Sequence, residues 1–133
     1  YRETSLDAVA CVVNKFHSVN KQYGRQFGEK VLRGIGAGLK KLARQTGGIS
    51  CREEDDTFLL YCPHQDDYEQ LINEFLSDVF SGKEIADKVS IRFGIFTDAR
   101  QVESIEYRFE CAKTAANRVK NDPERNFSFY DQT

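Results

Sequence analysis

Four consecutive acidic residues are the densest group of side chains in this sequence that could take part in chemistry. Glu53, Glu54, Asp55 and Asp56 lie between two short apolar stretches, where the chain is expected to reverse. Clustered carboxylates could bind a divalent cation, because hard cations prefer oxygen ligands. A run of like charges at a hairpin turn is more typical of a solvated loop. We therefore take the solvated loop as the default interpretation and a weak metal site as the alternative.

The cysteines and histidines show neither a metal-binding nor a redox pattern. No two cysteines form a C-x-x-C pair and the histidines stand apart from them, so we predict no zinc site. The cysteines instead predict free thiols packed as small apolar side chains, and reduced thiols favour the cytoplasm. These residues are Cys11, Cys51, Cys62, Cys111, His17 and His64.

Length and composition predict one globular α/β domain spanning residues 1–133. Hydrophobic residues make up 40% of the chain and charged residues 30%, and the net charge of −2 argues against a nucleic-acid surface. No apolar run has the length of a membrane span, so we expect no direct membrane contact. The chain begins at Tyr1 and contains no methionine, from which we expect a domain excised from a longer polypeptide.

The hydrophobic pattern that must position these side chains predicts eight elements in the order β-α-β-β-α-β-α-β. The first six follow the ferredoxin-like plan, to which a helix and a C-terminal strand are added. In this plan helices cover one face of a mainly antiparallel sheet. The strands are predicted at 6–13, 49–52, 57–62, 89–95 and 126–130, and the helices over 27–42, 68–80 and 102–119.

Residues of special conformation mark the ends of the predicted helices. Gly47 and Gly48 should end the first helix and Gly82 the second, and Asp66 and Asp67 can cap the second. The apolar stripe of the third helix begins at Val102. We expect one common core that includes Leu71, Phe75, Val79, Ile91, Phe93, Ile105 and Phe109.

Four motifs, in the correct order, resemble signatures of the GGDEF family. Residues 14–29 resemble D-x-D-x-F-K-x-I-N-D-x-Y-G-H-x-x-G-D, and 52–58 occupy the place of R-x-G-G-D-E-F between two strands. Residues 91–95 resemble the S-I-G-I strand, and 120–126 resemble K-x-x-G-R-N with one additional residue. The opening D-x-L-T-G-L-x-N-R segment has no counterpart, and we expect it upstream or absent. In the first motif the matching residues are Phe16, Asn20, Tyr23, Gly24 and Gly28.

The resemblance implies the reaction of a diguanylate cyclase. Two GTP molecules, each held by one domain, condense to cyclic di-GMP and release pyrophosphate. Such a transfer needs a divalent metal to neutralise the triphosphate, and carboxylates to hold the metal. It also needs main chain close to the phosphates, for which glycine suits the hairpin turn.

The positions that the resemblance implies for catalysis are altered in this sequence. Val12 stands in the place of the first metal carboxylate and has no side-chain oxygen. Glu54 and Asp55 replace the Gly-Gly turn; they add negative charge, and Asp55 tolerates a left-handed turn better than Glu54. Asp56 matches the metal-binding acidic position, while Thr57 replaces the acidic residue after it. We therefore expect at most a weak metal site at Asp56.

The positions that the resemblance implies for nucleotide binding are better kept. Asn20 and Glu29 match the residues that contact guanine, since an amide or a carboxylate can pair with its edge. A strand-to-helix connection around Gly24 should bring them onto one base. Lys120 and Arg125 match the basic residues that contact phosphate. The alternatives are a helix cap for Asn20 and ordinary surface charge for the two basic residues.

We interpret the chain as a degenerate GGDEF domain of a bacterial cyclic di-GMP signalling protein, catalytically inactive and serving as a regulatory or dimerising module. Its expected ligands are GTP or GDP, with Mg²⁺ only as a companion of bound nucleotide. Its expected partners are other domains of the same polypeptide and a second copy. An active cyclase with relocated metal ligands and a protein-interaction domain without nucleotide binding are the two alternatives.

Overall fold

Strand β1 (Leu6–Asn14) occupies the middle of the sheet in a computed structural model of the chain, which describes residues 6–81, 85, 87–97 and 104–130. The elements that follow it are α1 (Phe16–Tyr23), α2 (Arg25–Thr46), β2 (Ile49–Glu54), β3 (Thr57–Pro63), α3 (Tyr68–Val79), β4 (Ser90–Thr97), α4 (Ile105–Arg118) and β5 (Phe127–Phe129).

The sheet has the order β2-β3-β1-β4-β5. All neighbouring strands are antiparallel except β5, which runs parallel to β4. This arrangement confirms the predicted β-α-β-β-α-β core with an added helix and C-terminal strand. The register places Val12 opposite Thr57 of β3 and opposite Arg92 of β4. Within the described residues, no helix combines the length and apolarity that crossing a membrane requires.

Helix α1 is not among the predicted elements, because its 8 residues are too few for a helical period to stand out. Lys15 takes a left-handed conformation (φ 55°, ψ 45°) and turns the chain out of β1 into this helix. Phe16 and Val19 lie one turn apart and are both buried, which holds α1 against the sheet. Gly24, with a φ of 95°, then separates α1 from α2.

The predicted C-terminal end of α2 and the predicted N-terminal cap of α3 are confirmed. Helix α2 stops where Gly47 adopts a left-handed φ of 79°. Asp67 caps α3, because its side chain accepts a hydrogen bond of 3.0 Å from the main-chain amide of Gln70. The predicted helix end at Gly82 and the predicted stripe start at Val102 lie outside the described residues.

Alternate residues of β1 face two apolar clusters on opposite sides of the sheet. Val9, Cys11 and Val13 pack with side chains of α1, α2 and α3. Ala8 and Ala10 pack on the other side with residues of α4. The expectation that helices cover only one face is therefore wrong, since α4 covers the second face.

The predicted common core is correct for the first face and wrong for α4. Phe109 belongs to the second cluster, and Ile105 is 50% exposed. Helical periodicity shows that a stripe is apolar, but it does not show which side of a sheet the stripe meets. The predicted residues that do pack together, with Leu71 only partly buried, are Leu71, Phe75, Val79, Ile91 and Phe93.

Helix α4 approaches β4 closely because small residues face each other there. A Cβ atom on Gly94 would lie 1.8 Å from the carbonyl oxygen of Ala112 and 2.4 Å from the nitrogen of Ala116. Any side chain at position 94 would push α4 off the sheet. Helix α4 also reaches β2, since Lys113 and Glu53 form an ion pair of 3.0 Å.

A buried carboxylate ties the start of β1 to α3. Asp7 is 0% exposed, and its Oδ2 accepts from the Tyr68 hydroxyl at 2.6 Å and contacts Nδ1 of His64 at 2.8 Å. Burial raises the pKa of the Tyr68 hydroxyl, and the bond to Asp7 raises it further, so this hydroxyl remains a donor. The contact fixes β1 at the end opposite to Val12.

The four cysteines are free thiols as predicted, but the prediction that they pack as small apolar side chains is wrong for Cys51. Cys11, Cys62 and Cys111 are buried, whereas Cys51 is exposed on β2. Burial raises the pKa of the Cys11 and Cys62 thiols, which keeps them protonated and unreactive.

Replacing Phe75 by alanine should lower the free energy of unfolding by about 3–5 kcal/mol, the usual cost of truncating a buried aromatic side chain. Phe75 is 4% exposed and packs edge-on against Phe93, with ring centroids 5.3 Å apart. Urea denaturation measures the change. Ser77→Ala, on the exposed side of α3, is the matched control and should change stability by less than about 0.5 kcal/mol. A loss below about 1 kcal/mol for Phe75→Ala would contradict the placement of α3.

Candidate functional site

Three adjoining depressions run along one side of the β2–β3 turn, and together we call them the hairpin groove. The middle one, of about 150 Å³, is lined by Phe16, Asn20, Arg25, Glu29, Leu32, Arg52 and Asp55. The one at the turn, of about 230 Å³, is lined by Phe16, His17, Glu54, Asp55 and Asp56. The third, of about 370 Å³, is lined by Glu29, Leu32, Arg33, Arg52 and Phe58.

Asn20 and Glu29 line the same depression although they belong to different helices. Asn20 lies on α1 and Glu29 on the first turns of α2. The bend at Gly24, where φ is 95° and ψ is 157°, turns the two helices toward each other. The predicted convergence of these side chains therefore occurs through two helices, rather than through a strand-to-helix connection.

The side chain of Asn20 packs against the main chain of α2. Its Oδ1 is buried and has no hydrogen-bond partner within the described part of the chain. A Cβ atom on Gly28 would lie 1.8 Å from this oxygen, so the glycine makes room for the amide. Neither α1 nor α2 has a side-chain cap at its start, so Asn20 does not cap a helix.

Arg52 holds the β2–β3 turn in place. Its Nε donates to the carbonyl of Glu54 at 3.1 Å and its Nη2 donates to the carbonyl of Asp55 at 3.3 Å. The same Nη2 lies 3.6 Å from the Asp55 carboxylate. Among the described residues, Lys15 is the one non-glycine residue with a positive φ. Neither Glu54 nor Asp55 therefore has to adopt a left-handed conformation in the turn. The missing glycines do not strain the main chain there.

The residues at the end of β1 do not fit a resident divalent metal. Val12 has no oxygen in its side chain, and its neighbours across the sheet are Thr57 and Arg92. Oδ1 of Asp56 accepts from the Thr57 hydroxyl at 3.0 Å, and the Asp56 carbonyl accepts from the amide of Val13 at 2.8 Å. In the described ranges, no three His, Cys, Asp or Glu side chains converge as metal ligands.

Lys120 and Arg125 are not brought into the hairpin groove. Lys120 is exposed on the loop after α4, and its carbonyl accepts a hydrogen bond of 2.8 Å from Nδ2 of Asn14. Arg125 lines a separate depression of about 220 Å³, together with Glu69 and Asn73 of α3. A role for either basic residue in phosphate binding stays a prediction.

The groove also contains cations that the sequence analysis did not single out. Arg25 and Arg52 line the middle depression, and Arg33 lines the third. Arg52 is the first residue of the turn motif, and Arg25 directly follows Gly24. Both could have been predicted from the sequence by their position beside these motif residues.

The comparisons with known proteins agree with this architecture. The family described as "Diguanylate cyclase, GGDEF domain" matches residues 1–126, and the chain therefore belongs to the GGDEF family. A search of curated proteins found no match.

Several solved structures share the fold at low sequence identity. The active GGEEF domain of a diguanylate cyclase from Vibrio cholerae is 13% identical with a TM-score of 0.80, over 98% of this chain and 85% of that one. The GGDEF domain of DgcB from Caulobacter crescentus, in complex with c-di-GMP, is 18% identical with a TM-score of 0.76, over 96% and 78%. Diguanylate cyclase SiaD from Pseudomonas aeruginosa, in complex with its activator SiaC, is 20% identical with a TM-score of 0.72, over 95% and 50%.

Replacing Gly28 by alanine should displace the Asn20 side chain and lower the free energy of unfolding by about 1–3 kcal/mol, the usual cost of overpacking. The matched control is Gly34→Ala on the same helix, where an added Cβ meets nothing within 4 Å. The control should raise stability by roughly 0.5–1 kcal/mol, since alanine is the better helix former. Thermal unfolding measures both changes, and the Asn20 side-chain amide resonance reports the displacement. Equal effects of the two substitutions would rule out the packing of Asn20 on Gly28.

Proposed function

We propose that this domain is a regulatory GGDEF domain of a bacterial cyclic di-GMP signalling protein, which binds a guanine nucleotide weakly and does not synthesise cyclic di-GMP. The observation that best supports the proposal is the division of the hairpin groove. An amide and a carboxylate suited to guanine line its middle, whereas three carboxylates line the part at the turn.

Guanine suits the middle of the groove because of its hydrogen-bond pattern. A carboxylate at Glu29 can accept from both N1–H and N2–H of guanine, while N1 of adenine is itself an acceptor. Bound adenine would shield the Glu29 carboxylate from water without donating a hydrogen bond to it. This would weaken the binding of adenine by roughly 1–3 kcal/mol. The Nδ2 group of Asn20 supplies a donor beside Glu29, whereas Oδ1 of the same amide is buried against Gly28. GTP or GDP should therefore be preferred over ATP.

Attack of a ribose hydroxyl on the α-phosphate of GTP is disfavoured by the charge at the turn. A triphosphate there would approach Glu54, Asp55 and Asp56. Two like unit charges about 4 Å apart repel by on the order of 4 kcal/mol at an effective dielectric constant of 20. A metal would offset this repulsion, but Val12 offers no ligand for one. In this proposal Mg²⁺ arrives only as a companion of the nucleotide, with Asp56 as a weak contact.

Such a domain would act through its contacts. A nucleotide that is bound but not consumed can shift an equilibrium by its differential affinity for two states. The recipients in this proposal are other domains of the same cytoplasmic polypeptide, or a second copy of this domain. Lys120 and Arg125 remain candidate phosphate contacts, although neither lines the hairpin groove.

Titration with nucleotides, followed by amide chemical shifts, tests the proposal. GTP and GDP should shift the resonances of Asn20 and Glu29 with high micromolar or weaker affinity, about tenfold tighter than ATP. Added Mg²⁺ should change the affinity little. Glu29→Gln should abolish the preference for guanine, because the amide presents a donor to the N1–H and N2–H groups. Glu74→Gln, which changes an exposed carboxylate on α3, is the control and should keep the preference.

Two outcomes would contradict the proposal. Absence of shifts near Asn20 and Glu29 at millimolar GTP would leave only the protein-interaction alternative. Equal affinity for GTP and ATP, unaffected by Glu29→Gln, would mean that the groove does not read the base.

A further inference from the structure

Arg92 of β4 is a half-buried cation whose hydrogen bonds, within the described residues, end on carbonyl oxygens. Its Nε donates to Val119 at 3.0 Å and its Nη2 donates to Asp122 at 3.0 Å. Its Nη1 donates to the carbonyl of Ile91, also at 3.0 Å. The guanidinium therefore joins β4 to the loop that follows α4.

The same loop is held from β1 as well. Nδ2 of Asn14 donates to the carbonyl of Lys120 at 2.8 Å. Three main-chain carbonyls between Val119 and Asp122 are thus bound by two side chains from neighbouring strands. A loop fixed this way has little freedom to move away from the end of β1.

The sheet register brings Arg92 next to Val12. The two residues are directly opposite in the antiparallel pairing of β1 and β4, so their side chains leave the same face of the sheet. Side chains in such a pair have Cβ atoms roughly 4.5–5.5 Å apart. On the other side of Val12 lies Thr57. The residue opposite the position that lacks a metal-binding carboxylate therefore carries a permanent positive charge.

We propose that Arg92 is the resident cation of this site. It takes the place that a divalent ion would need, fixes the loop carrying Lys120, and excludes metal from the end of β1. Two residues, Val12 and Arg92, therefore oppose metal binding in this proposal, rather than Val12 alone. Restoring a carboxylate at position 12 alone does not restore metal binding, because the new carboxylate pairs with Arg92 across the strands.

Manganese binding to a set of variants tests this inference. The variants are the wild type, Val12→Asp, Val12→Asp/Arg92→Gln, and the control Val12→Asn/Arg92→Gln, which matches the double variant in shape but lacks the new carboxylate. Paramagnetic broadening by Mn²⁺ is followed at the amides of Val13 and Thr57. Every protein in the set also carries Asp56→Ala. An ion held by Asp56 would broaden the same amides, because Val13 and Thr57 are both hydrogen-bonded to Asp56.

The double variant with aspartate should bind Mn²⁺ at Val13 and Thr57 at least about tenfold more tightly than Val12→Asp, the scale on which neighbours of a metal ligand act. The wild type and the asparagine control should show no broadening at Val13. Equal affinity of Val12→Asp and the double variant would overturn the proposal. So would a double variant that binds no better than its asparagine control.

Arg92→Gln removes bonds to two loop carbonyls, so folding of each variant is checked first by its amide spectrum. If the double variant does not fold, Val12→Asp decides alone. A shifted Arg92 Nε resonance without Mn²⁺ broadening at Val13 supports the proposal, and broadening at Val13 overturns it. No nucleotide enters the experiment, so its result does not depend on the proposed function.

Discussion

The pairing of β1 with β3 on one side and β4 on the other is the constraint on which the rest of the structure depends. Because β1 is central, its alternate residues supply both apolar clusters, one under α1, α2 and α3 and one under α4. The same pairing decides what surrounds Val12, since the register places Thr57 and Arg92 beside it. The chemistry available at the end of β1 is therefore a property of three strands.

The sequence predicted most of the fold because most elements carry a clear period. Helices α2 and α3 and the alternating strand β4 were recognisable from their apolar residues. Helix α1 was not, since only Phe16 and Val19 face the sheet. The side on which α4 packs could not be predicted either, because it follows from the close approach at Gly94. The contact of Asp7 with Tyr68 joins distant residues without a local pattern.

The candidate site was predictable to the extent that its residues lie in motifs. Asn20 and Glu29 were found this way, and they line one depression as expected. Lys120 and Arg125 were predicted together with them, but neither lines the hairpin groove, and Arg125 lines a separate depression. Arg92 was missed because its importance comes from strand register and from loop carbonyls, and neither can be read from a local run of residues.

The central proposal is that the domain retains groups suited to guanine but lacks the metal ligands that the cyclase reaction needs. The most direct measurement incubates purified protein with GTP and excess Mg²⁺ or Mn²⁺ and quantifies cyclic di-GMP by mass spectrometry. With Val12 unable to bind metal and carboxylates at the turn, the account predicts no product above a protein-free blank. Product that increases with protein concentration and disappears in Asp56→Ala would contradict it.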